Sequence, residues 1–272
     1  MKPATSRKLI GIDWSGARDA ARHIWLAEGV EHNDRLLLQS LTRGDALTDV
    51  NAPEETLVAL EAWLLTQPIE SAVGFDFPFS LPASLLPRSG WPSFIERFER
   101  KFPDPAAFKA WCLQMADGRE LKRITDRITK TPFCAYNLRM YRQTYWGLRL
   151  LARLRGKRRF RVLPLERNAS QAMWLLETCP ASVLKRLDQY RPYKGRSESL
   201  RRSRRSLLRW LEGEGLLAVE RTALRRTMID DPGGDALDAT LAAIGVHTAL
   251  RRPDFPRVDW RAEYRHEACV YA

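Results

Sequence analysis

Short apolar runs broken by turn-rich stretches open the chain. Lys8-Leu-Ile-Gly-Ile-Asp13 reads as a strand, His23-Ile-Trp-Leu-Ala27 as a second, and Arg35 to Thr42 as a third. The first forty residues therefore predict a β-meander. Pro53 to Thr66 then changes period: Leu57, Leu60, Trp63 and Leu64 recur at helical spacing, behind a first turn with Pro53, Glu54 and Glu55. Residues 71–77 return to a strand pattern stopped by Pro78, which makes the order βββαβ.

Beyond Pro78 the texture is different. Residues 80–165 read as a large, mostly helical insertion, with helical spacing over 105–118 and 137–155. The apolar run 171–177, ending in Glu177, predicts a fifth strand, and Pro180 to Leu187 a short helix. Residues 190–230 form a basic insertion. In it Leu200, Leu207, Leu208 and Leu211 mark one side of a helix, and Arg201, Arg202, Arg204, Arg205 and Arg209 fill much of the rest. A closing helix spans Asp235 to Leu250. The expected fold class is α/β, a mixed five-stranded sheet flanked by helices. It forms a single domain whose core lies at 8–77 and 171–250. In open sheets of this kind, sites form at the carboxyl ends of strands. Asp13, Asp76 and Glu177 all fall there.

Composition narrows the functional classes. Hydrophobic residues make up 44% of the 272, with nine Trp, enough to fill a substantial core. No apolar run approaches the roughly 20 residues that span a bilayer, and the first one is too short for a signal peptide, so a cytoplasmic location is expected. The four Cys form no C-x-x-C pair and the four His no H-E-x-x-H. Reduced thiols are expected, and zinc is not. The net charge of +12 is local. Residues 149–161 hold seven basic residues and no acid, and 191–226 hold eleven basic and four acidic. These two segments carry +14, so the rest is slightly acidic. Such a distribution points to a polyanion, with Arg153, Arg155, Lys157, Arg158, Arg159, Arg201, Arg202, Arg204 and Arg205 as the candidate nucleic-acid contacts. A solvated helix face is the bland alternative.

The carboxylates carry the chemistry. Side chains alternate along a strand, so Asp13 shares a face with Leu9 and Gly11, and Asp76 with Ala72 and Gly74. Neither has a basic neighbour there, and an ionised carboxylate in such a place must be paired, metal-bound or protonated. Asp235 and Asp238 stand three apart on one helix face. Two carboxylates about 4 Å apart repel by roughly 4 kcal/mol at an effective dielectric near 20, and a divalent cation reverses that sign. All-oxygen donors suit Mg²⁺ or Mn²⁺. Each acid also has an ordinary reading. Asp235 and Asp238 suit an N-cap and its capping box, Asp13 a turn residue, and Asp76 a strand-end acceptor. Glu177 is either a further ligand or an acceptor for the N–H groups of the helix that follows.

Four motifs, Gly11-Ile-Asp-Trp-Ser-Gly16, Gly74-Phe-Asp-Phe-Pro78, Glu177-Thr-Cys-Pro180 and Asp235-Ala-Leu-Asp238, resemble a bacterial domain-of-unknown-function family of predicted ribonuclease H-like nucleases. With the βββαβ start, they are most similar to the Holliday-junction resolvase branch of that superfamily. The resemblance covers about 8–77 and 171–250. Arg123-Ile-Thr-Asp126 is similar to a short Arg-x-Thr-Asp element of the same family. The resemblance implies a ribonuclease H-like fold and two-metal hydrolysis of phosphodiesters in DNA or RNA with Mg²⁺ or Mn²⁺. Asp13 would bridge two ions, Asp76 hold one, and Asp235 and Asp238 the other. Strand 4 carries Asp where resolvases usually carry Glu, and no His is obviously placed to assist proton transfer, though His247 lies on the closing helix. Two rival classes share the signals: a non-catalytic nucleic-acid-binding module of the same fold, and an actin- or sugar-kinase-like phosphotransferase, whose first phosphate loop Gly11–Gly16 loosely resembles.

Overall fold

The meander forms, and it runs further than its apolar positions suggest. The computed structural model describes residues 7–167, 171–253, 255 and 262–272. In it β1 (Lys8–Asp13) pairs antiparallel with β2 (Trp25–His32), and β2 with β3 (Arg35–Arg43). The second strand thus begins two residues later than expected and ends at His32. A register shift at Glu28/Gly29 breaks its alternation, which hid the second half. Asn33 (φ 51°) and Asp34 (φ 64°) make the two-residue turn to β3, and both positive φ values match the twist of a tight hairpin.

Helix α1 (Pro53–Thr66) leads to β4 (Ala72–Phe75), which lies parallel to β1. Five helices follow: α2 (Gly90–Glu96), α3 (Phe98–Lys101), α4 (Pro105–Met115), α5 (Ile124–Ile128) and α6 (Tyr141–Arg155). They end in β5 (Phe160–Leu163), a strand of the same sheet. The remainder is β6 (Met173–Thr178), α7 (Pro180–Arg186), α8 (Glu198–Gly213), β7 (Leu217–Val219), α9 (Thr222–Asp230), α10 (Asp235–Leu250), α11 (Tyr264–Glu267) and β8 (Val270–Tyr271).

Among the described residues the sheet has eight strands, not five. Their order is β5-β6-β4-β1-β2-β3-β7, with β8 on β6. Only β2 runs against the rest, so the sheet is mixed, as expected. The three unexpected strands, β5, β7 and β8, have four, three and two residues, too few to display a period.

The sheet divides two apolar layers. Ile10, Ile12, Val73 and Phe75 face Leu57 and Leu60 of α1 and Leu148 and Leu151 of α6. Leu9, Ala72 and Leu36 face Leu184 of α7, Leu207 and Leu211 of α8, and Leu241 and Ile244 of α10. Helix α10 is buried along almost its whole length, which explains a sequence that is apolar all round. It crosses β1 at Gly11, where a Cβ would lie 2.0 Å from the Ala239 carbonyl oxygen and 2.3 Å from the Ala243 nitrogen. Any side chain at Gly11 would push the helix, and the acids at its start, away from the strand. No helix among the described residues is long and apolar enough to cross a membrane.

Candidate metal centre

Strand parity puts Asp13 on the α10 face of the sheet, two residues beyond the Gly11 contact. Asp76 lies just past β4, its N–H donating to the Ile12 carbonyl of β1 (3.0 Å). Gln143, in the first turn of α6, donates to the Asp76 carbonyl, and Trp14 Nε1 donates to the Gln143 carbonyl (3.1 Å), so α6 locks both strand ends together. Asp238 arrives from the first turn of α10. Carboxylate oxygens of Asp13, Asp76 and Asp238 all lie within 4.8 Å of one another.

The capping alternative for the Asp-x-x-Asp pair fails. The N-cap of α10 is Gly234, in the left-handed region at φ 74°, and the capping carboxylate belongs to Asp231. Asp231 accepts from the N–H groups of Gly233 (3.1 Å) and Ala236 (2.9 Å). The pair nonetheless splits. Asp238 joins the cluster, whereas Asp235 lies outside the group of three and approaches Lys194 Nζ at 3.6 Å.

Lys194 and Tyr193 were not anticipated. Lys194 Nζ lies 2.5 Å from Asp238 Oδ2, and the Tyr193 hydroxyl donates to Asp238 Oδ1. Both residues sit in the loop between α7 and α8. Buried Arg204 holds that loop, donating to the carbonyls of Tyr193 (2.6 Å), Gly195 (3.1 Å) and Ile229 (2.8 Å). Arg204 was expected to meet nucleic acid; its guanidinium is instead spent inside the protein. Its place was readable, because Leu200, Arg204, Leu207, Leu208 and Leu211 share one helical stripe. Lys194 and Tyr193 had no such signal, since a loop has no period.

The electrostatics are those of a cluster short of positive charge. Burial, then repulsion by Asp238, Asp235 and Asp76, pushes the Asp13 carboxyl well above its ordinary range, with Lys194 opposing. Burial and the nearness of Asp238 push Asp76 up to about 8. Asp235 is raised too, by burial. At Lys194 burial disfavours the charge, but Asp238 and Asp13 outweigh it and hold the ammonium above its ordinary value. Several carboxyl groups thus share one lysine whose side chain is half exposed. Three carboxylates with oxygen donors only, converging and undercompensated, fit a hard divalent cation.

Glu177 stands apart from this cluster. Arg123 grips it with two parallel bonds, Nη2 to Oε1 at 2.5 Å and Nη1 to Oε2 at 2.8 Å, and the Phe79 N–H adds a third at 2.8 Å. The acceptor role weighed for Glu177 thus holds, with Phe79 as the backbone donor rather than the following helix. Arg123 also binds Asp126 through Nη2 (2.7 Å) and Nε (3.1 Å). Thr125 accepts from the N–H of Val270 in β8 (2.8 Å). The Arg-x-Thr-Asp element is therefore a bolt joining α5, the end of β6 and the C-terminal strand.

Most of the other expected nucleic-acid contacts are also engaged within the protein. Arg153 (2.6 Å) and Lys157 pair with Glu61 of α1. Arg155 reaches Glu166 (3.4 Å) and the Pro92 carbonyl (2.9 Å), and Arg159 the Gln67 carbonyl. Arg201 pairs with Asp230 at 2.7 Å and, with Arg205, lines a groove between α8 and α9. Arg158 and Arg202 are exposed. None of the nine lines the cleft of about 570 Å³ that opens beside Asp76 and Asp238; the cations there are Arg123, Arg139, Arg191 and Lys194. No family model matches the chain, and neither does any curated protein or solved structure.

Proposed function

We propose that the protein is a Mg²⁺- or Mn²⁺-dependent nuclease that hydrolyses phosphodiester bonds of DNA or RNA, on a ribonuclease H-like fold. The convergence of Asp13, Asp76 and Asp238 within 4.8 Å carries this reading. The βββαβ start supports it, with β4 laid parallel to β1 and acids at the carboxyl ends of both. Asp13, Asp76 and Asp238 would hold the metal, and Asp235 is the nearby donor for a second ion. A divalent ion bound there supplies a water of lowered pKa and offsets charge on the phosphate.

The chain's own groups do the rest. Tyr193 fixes one oxygen of Asp238, and Lys194 pairs with the other. The Lys194 ammonium moderates carboxylate repulsion in the metal-free protein, and its half-exposed side chain adds a cation to the lining of the cleft. Gln143 and Trp14 keep the ends of β1 and β4 from separating.

The test is hydrolysis with Mn²⁺ of bis(p-nitrophenyl) phosphate and of labelled DNA and RNA. Asp13→Asn and Asp238→Asn are expected to reduce the rate roughly a hundredfold or more, as befits loss of a charge effect of several kcal/mol. The reading fails if no substrate is cut, or if cutting survives both substitutions in folded protein.

A further inference from the structure

The cleft beside the carboxylates has walls of a different character. Its volume of about 570 Å³ is that of a small-ligand site. It can admit one nucleotide, but not a base-paired helix. Two loops contribute aromatic rings to it: Phe133, after α5, and Tyr190, after α7. Tyr190 is 55% exposed, a large ring left in water beside a buried site. Each ring carries a cation over its face, the Arg139 guanidinium 5.4 Å from the Phe133 centroid and Lys185 Nζ 4.7 Å from that of Tyr190. Thr178 lines the same cleft, and its buried hydroxyl has no hydrogen-bond partner among the described residues.

Rings flanked by cations are how proteins hold single strands: bases stack on the rings and phosphates meet the charges. A duplex keeps its bases stacked and paired, so it presents no free face to such rings. We infer that the cleft receives one unstacked base of a single-stranded nucleic acid against Phe133 and Tyr190, placing the adjoining phosphate at Asp13, Asp76 and Asp238. This rests on the nuclease reading and names its substrate class: single strands and frayed ends, not continuous duplex.

Fluorescence anisotropy tests it, with short fluorescein-labelled single strands of DNA and RNA and the matching duplexes, in Ca²⁺. Single strands are expected to bind at least tenfold more tightly than duplexes. Tyr190→Ala and Phe133→Ala should each weaken single-strand binding roughly tenfold, the scale of one lost stacking contact. Tyr190→Phe should retain it. Because Tyr190 is exposed, its alanine variant tests the cleft without disturbing the core. Equal affinity for single strand and duplex overturns the inference, as does indifference to Tyr190→Ala or tighter binding of a free mononucleotide than of a strand. If strands are discriminated but neither the chromogenic ester nor any strand is cut with Mn²⁺, the cleft assignment stands and the nuclease reading falls. If the ester is cut without discrimination, the reverse holds.

Discussion

Two buried carboxylate clusters face the same cleft, and they solve the same electrostatic problem in opposite ways. In one, Asp126 and Glu177 each receive two bonds from the planar fork of buried Arg123. In the other, Asp13, Asp76 and Asp238 share one half-exposed lysine. Arginine is held in place and geometrically matched to carboxylates, whereas lysine is a mobile point charge. The first cluster is closed and ties distant parts of the chain together. The second is left short of positive charge, and that shortage is what a cation would fill.

The largest expected effect breaks the closed cluster. Arg123→Ala strands Asp126 and Glu177 as buried charges, which should cost about 3–5 kcal/mol of stability by denaturant unfolding. A cost below about 1 kcal/mol would mean that the bolt is not structural.

The open cluster should respond to pH instead. Asp76 is raised to about 8 from an ordinary 3.8, so the folded state holds its proton more tightly than the unfolded state does. Stability of the metal-free protein should therefore be greatest at low pH within this window. It should fall as pH rises from about 4 to about 8, with Asp76 alone contributing roughly 1.4 kcal/mol per unit and the raised Asp13 carboxyl adding in the same direction. Thermal unfolding in chelator at pH 6 and pH 9 measures this, and Asp76→Asn should flatten the slope. A rise in stability over that range would contradict the account.

Lys194→Ala sharpens the contrast at a smaller scale. It should destabilise the metal-free protein by about 1 kcal/mol, because the exposed part of the side chain is screened. Saturating Mn²⁺ should erase the difference. The smallest effect belongs to Arg202→Ala, an exposed position, expected to lie within about 0.5 kcal/mol of zero. Arg204→Ala, two residues on, should cost about 1.5–3 kcal/mol, because three carbonyls lose their buried charged donor.

The part of the site that strands and helices position was legible in the sequence. Parity along β1 puts Asp13 on the face of Gly11, and the glycine–alanine contact with α10 draws Asp238 to that face. The Asp-x-x-Asp spacing puts both acids on one helix face, yet Asp238 joins the group of three and Asp235 does not, since sharing a helix face does not place two side chains in the same cluster. Glu177 looked equivalent to Asp76 because both end strands. Only the fold brings Arg123, 54 positions away in the chain, to its side. The basic segments were less legible for a related reason. Charge density along the chain cannot distinguish an arginine in water from one spent on Glu61 or on the carbonyls of a loop.

The most direct test of the contrast is a calorimetric titration of the metal-free protein with Mn²⁺. The account predicts binding to the wild type and to Glu177→Gln, and its loss in Asp13→Asn and Asp238→Asn. Absence of binding to the wild type, or binding that survives Asp238→Asn while Glu177→Gln abolishes it, would contradict the assignment of the open cluster as the metal centre.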